Sequence, residues 1–358
     1  MNFPEMKIGD LICRLPIVQG GMGVGISMAG LASAVANEGG IGVIAGAMIG
    51  IDEPDISVDP AAANVRALKR EIQKARSLSQ GIIGVNIMVA LTHYADLVNA
   101  AIEEGIDIIF SGAGLPMDLP GFLTPGAKTR LVPIISSGRA AKLICQKWLS
   151  KYNYLPDAFV LEGPKAGGHL GFKIEQIDDP AYSLELLLKE VLEAISPIEK
   201  ARNVKIPVIV AGGIYTGADI HEFLKLGATG VQMGTRFVAT HECDADAAFK
   251  EKYINAKKAD LIIIKSPVGM PGRAVRNAFL DDVSSGNKKP FTCPYHCVKT
   301  CDRLKSPYCI ALALAAARKG KFKSGFAFAG ANAYRVDRIL SVKELIESLR
   351  KEFSVASA

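Results

Sequence analysis

The sequence predicts an α/β chain, a (β/α)8 TIM barrel with a helical insertion after its eighth strand. Eight short apolar runs follow one another between residues 15 and 234. They are apolar throughout rather than alternating, which marks strands covered on both faces, as in parallel sheets. Helical patterns lie between them, several stopped by glycine. No Gly-x-Gly-x-x-Gly opens a helix after the first run, as a doubly wound dinucleotide-binding sheet would require; Gly21-Met22-Gly23-Val24-Gly25 is only superficially similar.

In chain order the predicted strands are 15–20, 41–46, 82–88, 106–112, 131–137, 157–163, 206–213 and 230–234. The helical pattern at 29–38 stops at Gly39 and Gly40, that at 94–104 at Gly105, and that at 218–226 at Gly227, while 184–195 carries leucines at helical spacing. After the eighth run the period breaks. Residues 236–324 are too long for an ordinary loop and read as a helical lid at the active-site end, carrying a Cys-rich basic segment. Residues 1–235 and 325–358 then form the barrel. Ser341, with Glu344 three residues on, is the capping-box signature of the last barrel helix.

A chain of 358 residues with 49% hydrophobic residues suits one large barrel with an insertion. Its 35 glycines are dispersed, which indicates many tight strand-to-helix turns rather than a flexible tract. No apolar run approaches the ~20 residues of a membrane span. The first residues lack a basic head and an apolar stretch, so a cytoplasmic location with no membrane association is expected.

In such barrels the ligand lies at the carboxyl ends of the strands. Those ends supply Gly20, Gly21, Met22, Asn86, Ser136, Glu162, Gly167, Gly168, Gly212, Gly213, Gln232, Met233, Gly234 and Thr235. Glycines and amides dominate and acids are scarce, which suits a planar, hydrogen-bonding cofactor carrying a phosphate. Gly212-Gly213 and Gly234-Thr235, after strands seven and eight, fit a backbone phosphate site; glycines that merely permit tight turns are the competing explanation. Within Glu162-Gly163-Pro164-Lys165-Ala166-Gly167-Gly168-His169, the imidazole is the candidate proton carrier. A tight turn with a capping histidine is the plain alternative. His93, His221 and His241 read as surface or capping residues.

Cys293, Cys297, Cys301 and Cys309 crowd into 17 residues. Close thiols permit an iron–sulfur cluster or a structural zinc, with His296 able to replace one thiolate. The spacing matches neither pattern, and small buried side chains explain it equally well.

Several stretches together resemble the nitronate monooxygenase and 2-nitropropane dioxygenase family, whose superfamily includes the flavin-dependent enoyl-acyl-carrier-protein reductases. They are residues 16–23, 84–88, 166–171, 210–214 and 231–237, in the family's order. The resemblance implies FMN at the barrel mouth, with Asn86 and Gly167 near the flavin ring or ribityl chain. Gly213 and Gln232 to Thr235 would surround the phosphate, and His169 would be the catalytic proton carrier. Many relatives place a glutamine where this chain has Glu162.

Two activities follow from that resemblance. One is oxidation of alkyl nitronates to a carbonyl compound and nitrite, with His169 as base toward a neutral nitroalkane or as orienting group for the anion. The other is NADH- or NADPH-dependent reduction of an enoyl thioester, with His169 relaying the proton to the α-carbon. A non-catalytic flavin-binding protein is the alternative of another class. Nine basic residues between Lys288 and Lys323, with Asp302 the single acid, would favour an acyl carrier protein, a coenzyme A thioester or a pyridine nucleotide beside the mouth; a solvated face is the plainer reading. No nucleic-acid motif accompanies them. A homodimer is compatible with this reading.

Overall fold

A computed structural model describes residues 3–289, 291–293 and 295–358. Eight parallel strands, β1 (Ile17–Gln19), β2 (Gly42–Ala45), β3 (Ile83–Met88), β4 (Ile108–Gly112), β5 (Arg130–Ile135), β6 (Phe159–Glu162), β7 (Val208–Ala211) and β8 (Gly230–Met233), pair each with the next in sequence. β8 pairs back onto β1, with Val231 opposite Ile17. A parallel bridge between Val18 and Ile41 closes the ring between β1 and β2. The buried Gln19 side chain ties that last seam, since its amide oxygen accepts the Val43 N–H at 3.0 Å. Every predicted strand is present, each trimmed at one or both ends, although β5 begins one residue early, at Arg130.

Alternation along each strand separates two apolar layers, because successive side chains point to opposite faces. Val18, Val43, Phe110, Val132, Val160 and Ile209 fill the barrel interior. Their neighbours Ile17, Ile44, Ile109, Leu131, Leu161 and Val210 face the surrounding helices. A Cβ on Gly84 would stand 2.7 Å from the Phe110 ring, so a glycine there makes room for the largest interior side chain. An N-terminal hairpin, Met6–Ile8 paired with Leu11–Cys13, plugs the lower end by burying Met6, Ile8 and Cys13 against that layer.

The outer helices are α1 (Ala29–Asn37), α2 (Pro60–Leu78), α3 (Tyr94–Glu103), α4 (Gly138–Tyr152), α5 (Leu184–Arg202) and α6 (Gly217–Lys225). The sequence patterns above omit α2 and α4, although both start on side-chain caps. Asp59 accepts from Ala62 N with proline in the first turn, and Ser137 accepts from Ala140 N.

After β8 come α7 (Thr235–Val238), α8 (Ala247–Ile254), the strands β9 (Leu261–Lys265) and β10 (Pro271–Val275), and the helices α9 (Ala278–Ser284) and α10 (Ile310–Arg318). The last helix, α11 (Val342–Ala356), starts on the expected box of Ser341 and Glu344. The insertion therefore carries helices as expected and, in addition, an antiparallel ribbon that the helical reading lacks. The ribbon does not join the barrel. β10 instead pairs with Gly168–His169, Gly272 opposite His169 and Arg273 opposite Gly168. A run paired with the candidate catalytic loop, about a hundred residues away, leaves no local periodicity by which to foresee it. Among the described residues no helix is long and apolar enough to cross a membrane.

Candidate active site

The carboxyl ends of the strands open into a cavity of about 330 Å³. Its floor is the strand ends; its roof includes Val268, Val298, Ile310 and Leu314 from the insertion, with Phe328 beside them. The roof is fastened to the loop after β3, where Thr92 N donates to Cys297 O and Lys299 N to Ala90 O. The predicted residues Gly20, Gly21, Met22, Asn86, Glu162, Gly167, Gly168, His169, Gly212, Gly213, Gln232, Met233, Gly234 and Thr235 all line it. Ser136 does not; its hydroxyl donates to Gly171 O at 3.2 Å, bracing the candidate catalytic loop from outside.

Asn86 (β3), Glu162 (β6) and Gln232 (β8) bring three polar side chains to this floor. None of them makes a side-chain hydrogen bond to the described protein, and no unpaired side-chain nitrogen or oxygen there is sealed from solvent, so all three present their polar atoms to the cavity. The N–H groups of Gly212, Gly213 and Gly234 likewise find no protein acceptor among the described residues. Glycine is required at several of these positions. A Cβ on Gly21 would stand 2.5 Å from Asn86 Cβ, and one on Gly167 would stand 2.5 Å from the Ala329 carbonyl carbon. Gly212 and Gly213, at φ +98° and +90°, adopt a backbone conformation that side chains disfavour. Free amide donors at one end and unpaired amide and carboxyl groups along the floor form a cradle of the chemistry that a flavin mononucleotide needs.

His169 stands where the Gly168–His169 strand meets β10. Its ring packs edge-on to Phe328, 5.0 Å between centroids, and its Nε2 lies 2.7 Å from Ser266 Oγ. Burial pushes the imidazole down to about 4, so the ring is neutral at pH 7. Burial also pushes the Glu162 carboxyl up to about 7, and no cation offsets it. The Arg273 guanidinium, itself buried, donates to Pro164 O at 2.7 Å and Ala166 O at 3.3 Å and so pins the turn before His169. Ser266, Arg273 and Phe328 are site residues that sequence reasoning missed. They lie in or beyond the insertion, and nothing in their local pattern points to His169.

Among the thiols of the crowded segment, Cys297 lines the cavity. All seven cysteines are free. Burial and the neighbouring Cys309, Cys293 and Cys301 push the Cys297 thiol up to about 12, so it stays protonated. Among the described residues no group of three or more His, Cys, Asp or Glu is placed to hold a metal ion, so the iron–sulfur and zinc readings find no ligand set there. His296 contributes its backbone, accepting a hydrogen bond from the Thr92 hydroxyl.

The chain belongs to the nitronate monooxygenase family, a family of oxidoreductases, whose model matches residues 5–352. It is 29% identical over 273 residues to a Mycobacterium tuberculosis (3aS,4S,5R,7aS)-5-hydroxy-7a-methyl-1-oxo-octahydro-1H-indene-4-carboxyl-CoA dehydrogenase, a match covering 76% of this chain and 66% of that protein. The chain thus spans just under two thirds of that relative. Its fold is similar to FabK from Thermotoga maritima, with a TM-score of 0.73, 27% identity and coverage of 96% of this chain and 93% of the other. It is equally similar to a nitroalkane oxidase from Streptomyces ansochromogenes, with a TM-score of 0.73, 25% identity and coverage of 96% and 97%.

Proposed function

We propose that the chain is an FMN-dependent oxidoreductase that converts alkyl nitronates to carbonyl compounds and nitrite. The observation that carries this reading is the half-buried His169 facing a largely apolar cavity, where desolvation pushes its imidazole down to about 4. An imidazole that is protonated only near pH 4 is a poor proton donor to the α-carbon of an enoyl thioester at neutral pH. It is well suited to hydrogen-bond an anion that arrives already deprotonated.

When bound, FMN supplies the oxidation of the substrate and the reaction with oxygen. The chain's own groups do the rest. The N–H groups of Gly212, Gly213 and Gly234 would hold the phosphate, and Asn86, Glu162 and Gln232 would pair the polar edges of the cofactor. Arg273 and the β9–β10 ribbon hold the Gly167-Gly168-His169 turn at fixed height over the floor. Val268, Val298 and Leu314 shield the site from bulk water.

Reduction of an enoyl thioester by NADH or NADPH is the second reading, favoured by the basic segment. Lys289, Lys305, Arg318 and Lys319 pair with acids, which leaves Lys288, Lys299, Arg303, Lys321 and Lys323 without an ion pair among the described residues. Anaerobic flavin bleaching separates the two. The flavin-loaded protein is expected to bleach with an alkyl nitronate, and in air to release nitrite. Bleaching by NADH or NADPH, with none by nitronate, would overturn the first reading in favour of the second.

A further inference from the structure

We propose that Ser266 is a positioning residue that holds His169 as the Nδ1–H tautomer. The ring then offers a hydrogen bond to an anionic substrate oxygen and cannot take a proton from carbon. The identity of that oxygen rests on the nitronate reading; the tautomer does not.

Ser266, the residue that follows β9, is 3% exposed. Its Oγ lies 2.7 Å from His169 Nε2 and also accepts the Val268 N–H at 3.4 Å. A hydroxyl has one proton to donate. Among the described residues, Nε2 is the one acceptor in reach of it. Were Nε2 protonated instead, the Ser266 oxygen would accept from both Nε2 and Val268 N, and its own proton would lie buried without an acceptor among the described residues, at the cost of a lost hydrogen bond. Pairing every group therefore requires the Ser266 O–H to donate to Nε2, which then carries a lone pair.

A neutral imidazole has a single N–H, so that proton sits on Nδ1. Nδ1 makes no hydrogen bond to the described protein, yet no side-chain nitrogen or oxygen is both sealed from solvent and unpaired there. Nδ1 is therefore reached from the cavity that His169 lines. The ring is held in this orientation by the Phe328 edge contact and by the backbone pairing of His169 with Gly272. What faces the substrate is an N–H donor. The basic lone pair points away, into the ribbon, where it is already engaged. Abstraction of a carbon-bound proton is thus closed to His169, and the substrate class it fits is the preformed nitronate rather than the neutral nitroalkane.

The test is nitrogen-15 NMR of the flavin-loaded protein carrying labelled histidine, with His169→Ala identifying the resonances. His169 is expected to show a pyrrole-like Nδ1 and a pyridine-like Nε2. Ser266→Ala should shift the ring toward the Nε2–H form and lower kcat/KM for an alkyl nitronate about tenfold, the worth of one hydrogen bond. Ser266→Thr, which keeps the hydroxyl, should restore both. An Nε2–H signature in the unmodified protein, an unchanged Nδ1–H signature in Ser266→Ala, or equal kcat/KM for nitronate and neutral nitroalkane would each overturn the proposal. The spectra need no substrate. A protein that shows the Nδ1–H form but turns over no nitronate refutes the functional reading and leaves the tautomer standing.

Discussion

Replacing Glu162 by glutamine should raise the stability of the flavin-free protein progressively with pH. The carboxyl has no protein hydrogen bond among the described residues, and burial alone lifts it from 4.5 to about 7. A group raised on folding favours the fold below its unfolded value, and that contribution is lost as pH rises through the folded one. For Glu162 the window runs from about pH 4.5 to 7. At about 1.36 kcal/mol per pH unit, the shift corresponds to a penalty of about 3 kcal/mol once the group is ionised in the fold. At pH 5 most of that penalty is absent, and by pH 8 nearly all of it is present. Glutamine keeps the shape without the titration, so the stability difference between variant and parent should grow by about 2.5 kcal/mol from pH 5 to pH 8. Urea unfolding at both pH values, followed by the fluorescence of the single tryptophan, Trp148, measures it directly, because that side chain is fully buried. A difference that does not change with pH would refute the claim that Glu162 is buried without a compensating partner.

Two further outcomes test the surroundings of His169. Gly167→Ala places a methyl 2.5 Å from the Ala329 carbonyl carbon and 2.6 Å from Gly330 N, both backbone atoms that cannot step aside cheaply. The variant should lose roughly 1–3 kcal/mol and most of its flavin, read as a lower Tm and a reduced flavin-to-protein ratio; full flavin retention would count against the cradle. Arg273→Met removes the two hydrogen bonds to Pro164 O and Ala166 O while keeping most of the buried volume. It should cost on the order of 2–3 kcal/mol and lower kcat for nitronate more than it weakens flavin binding, whereas an unchanged kcat would show that the turn holds without its clamp.

The order of the barrel was legible because a strand buried on both faces must be apolar throughout, and the eight runs from Ile17 to Met233 say so residue by residue. The cavity floor was legible for a related reason. In a parallel barrel every strand ends on the same side, so Asn86, Glu162 and Gln232 converge although 146 positions separate the first from the last. Ser136 shows the limit of that logic. A residue just past a strand can turn outward, as this one does to reach Gly171. The insertion was legible only as an interruption. The ribbon of β9 and β10 rests on pairing with Gly168–His169, and such pairing has no signature within either partner's own sequence.

The sequence by itself determined which residues could reach a ligand, since strand order and strand direction follow from local apolar runs and glycine stops. The tertiary structure decided their state. Neutrality of His169, protonation of Glu162 near pH 7, the clamp by Arg273 and the orientation imposed by Ser266 all arise from burial and from partners distant in the chain. A charge's environment is a property of everything packed around it, and only the folded chain brings those atoms together.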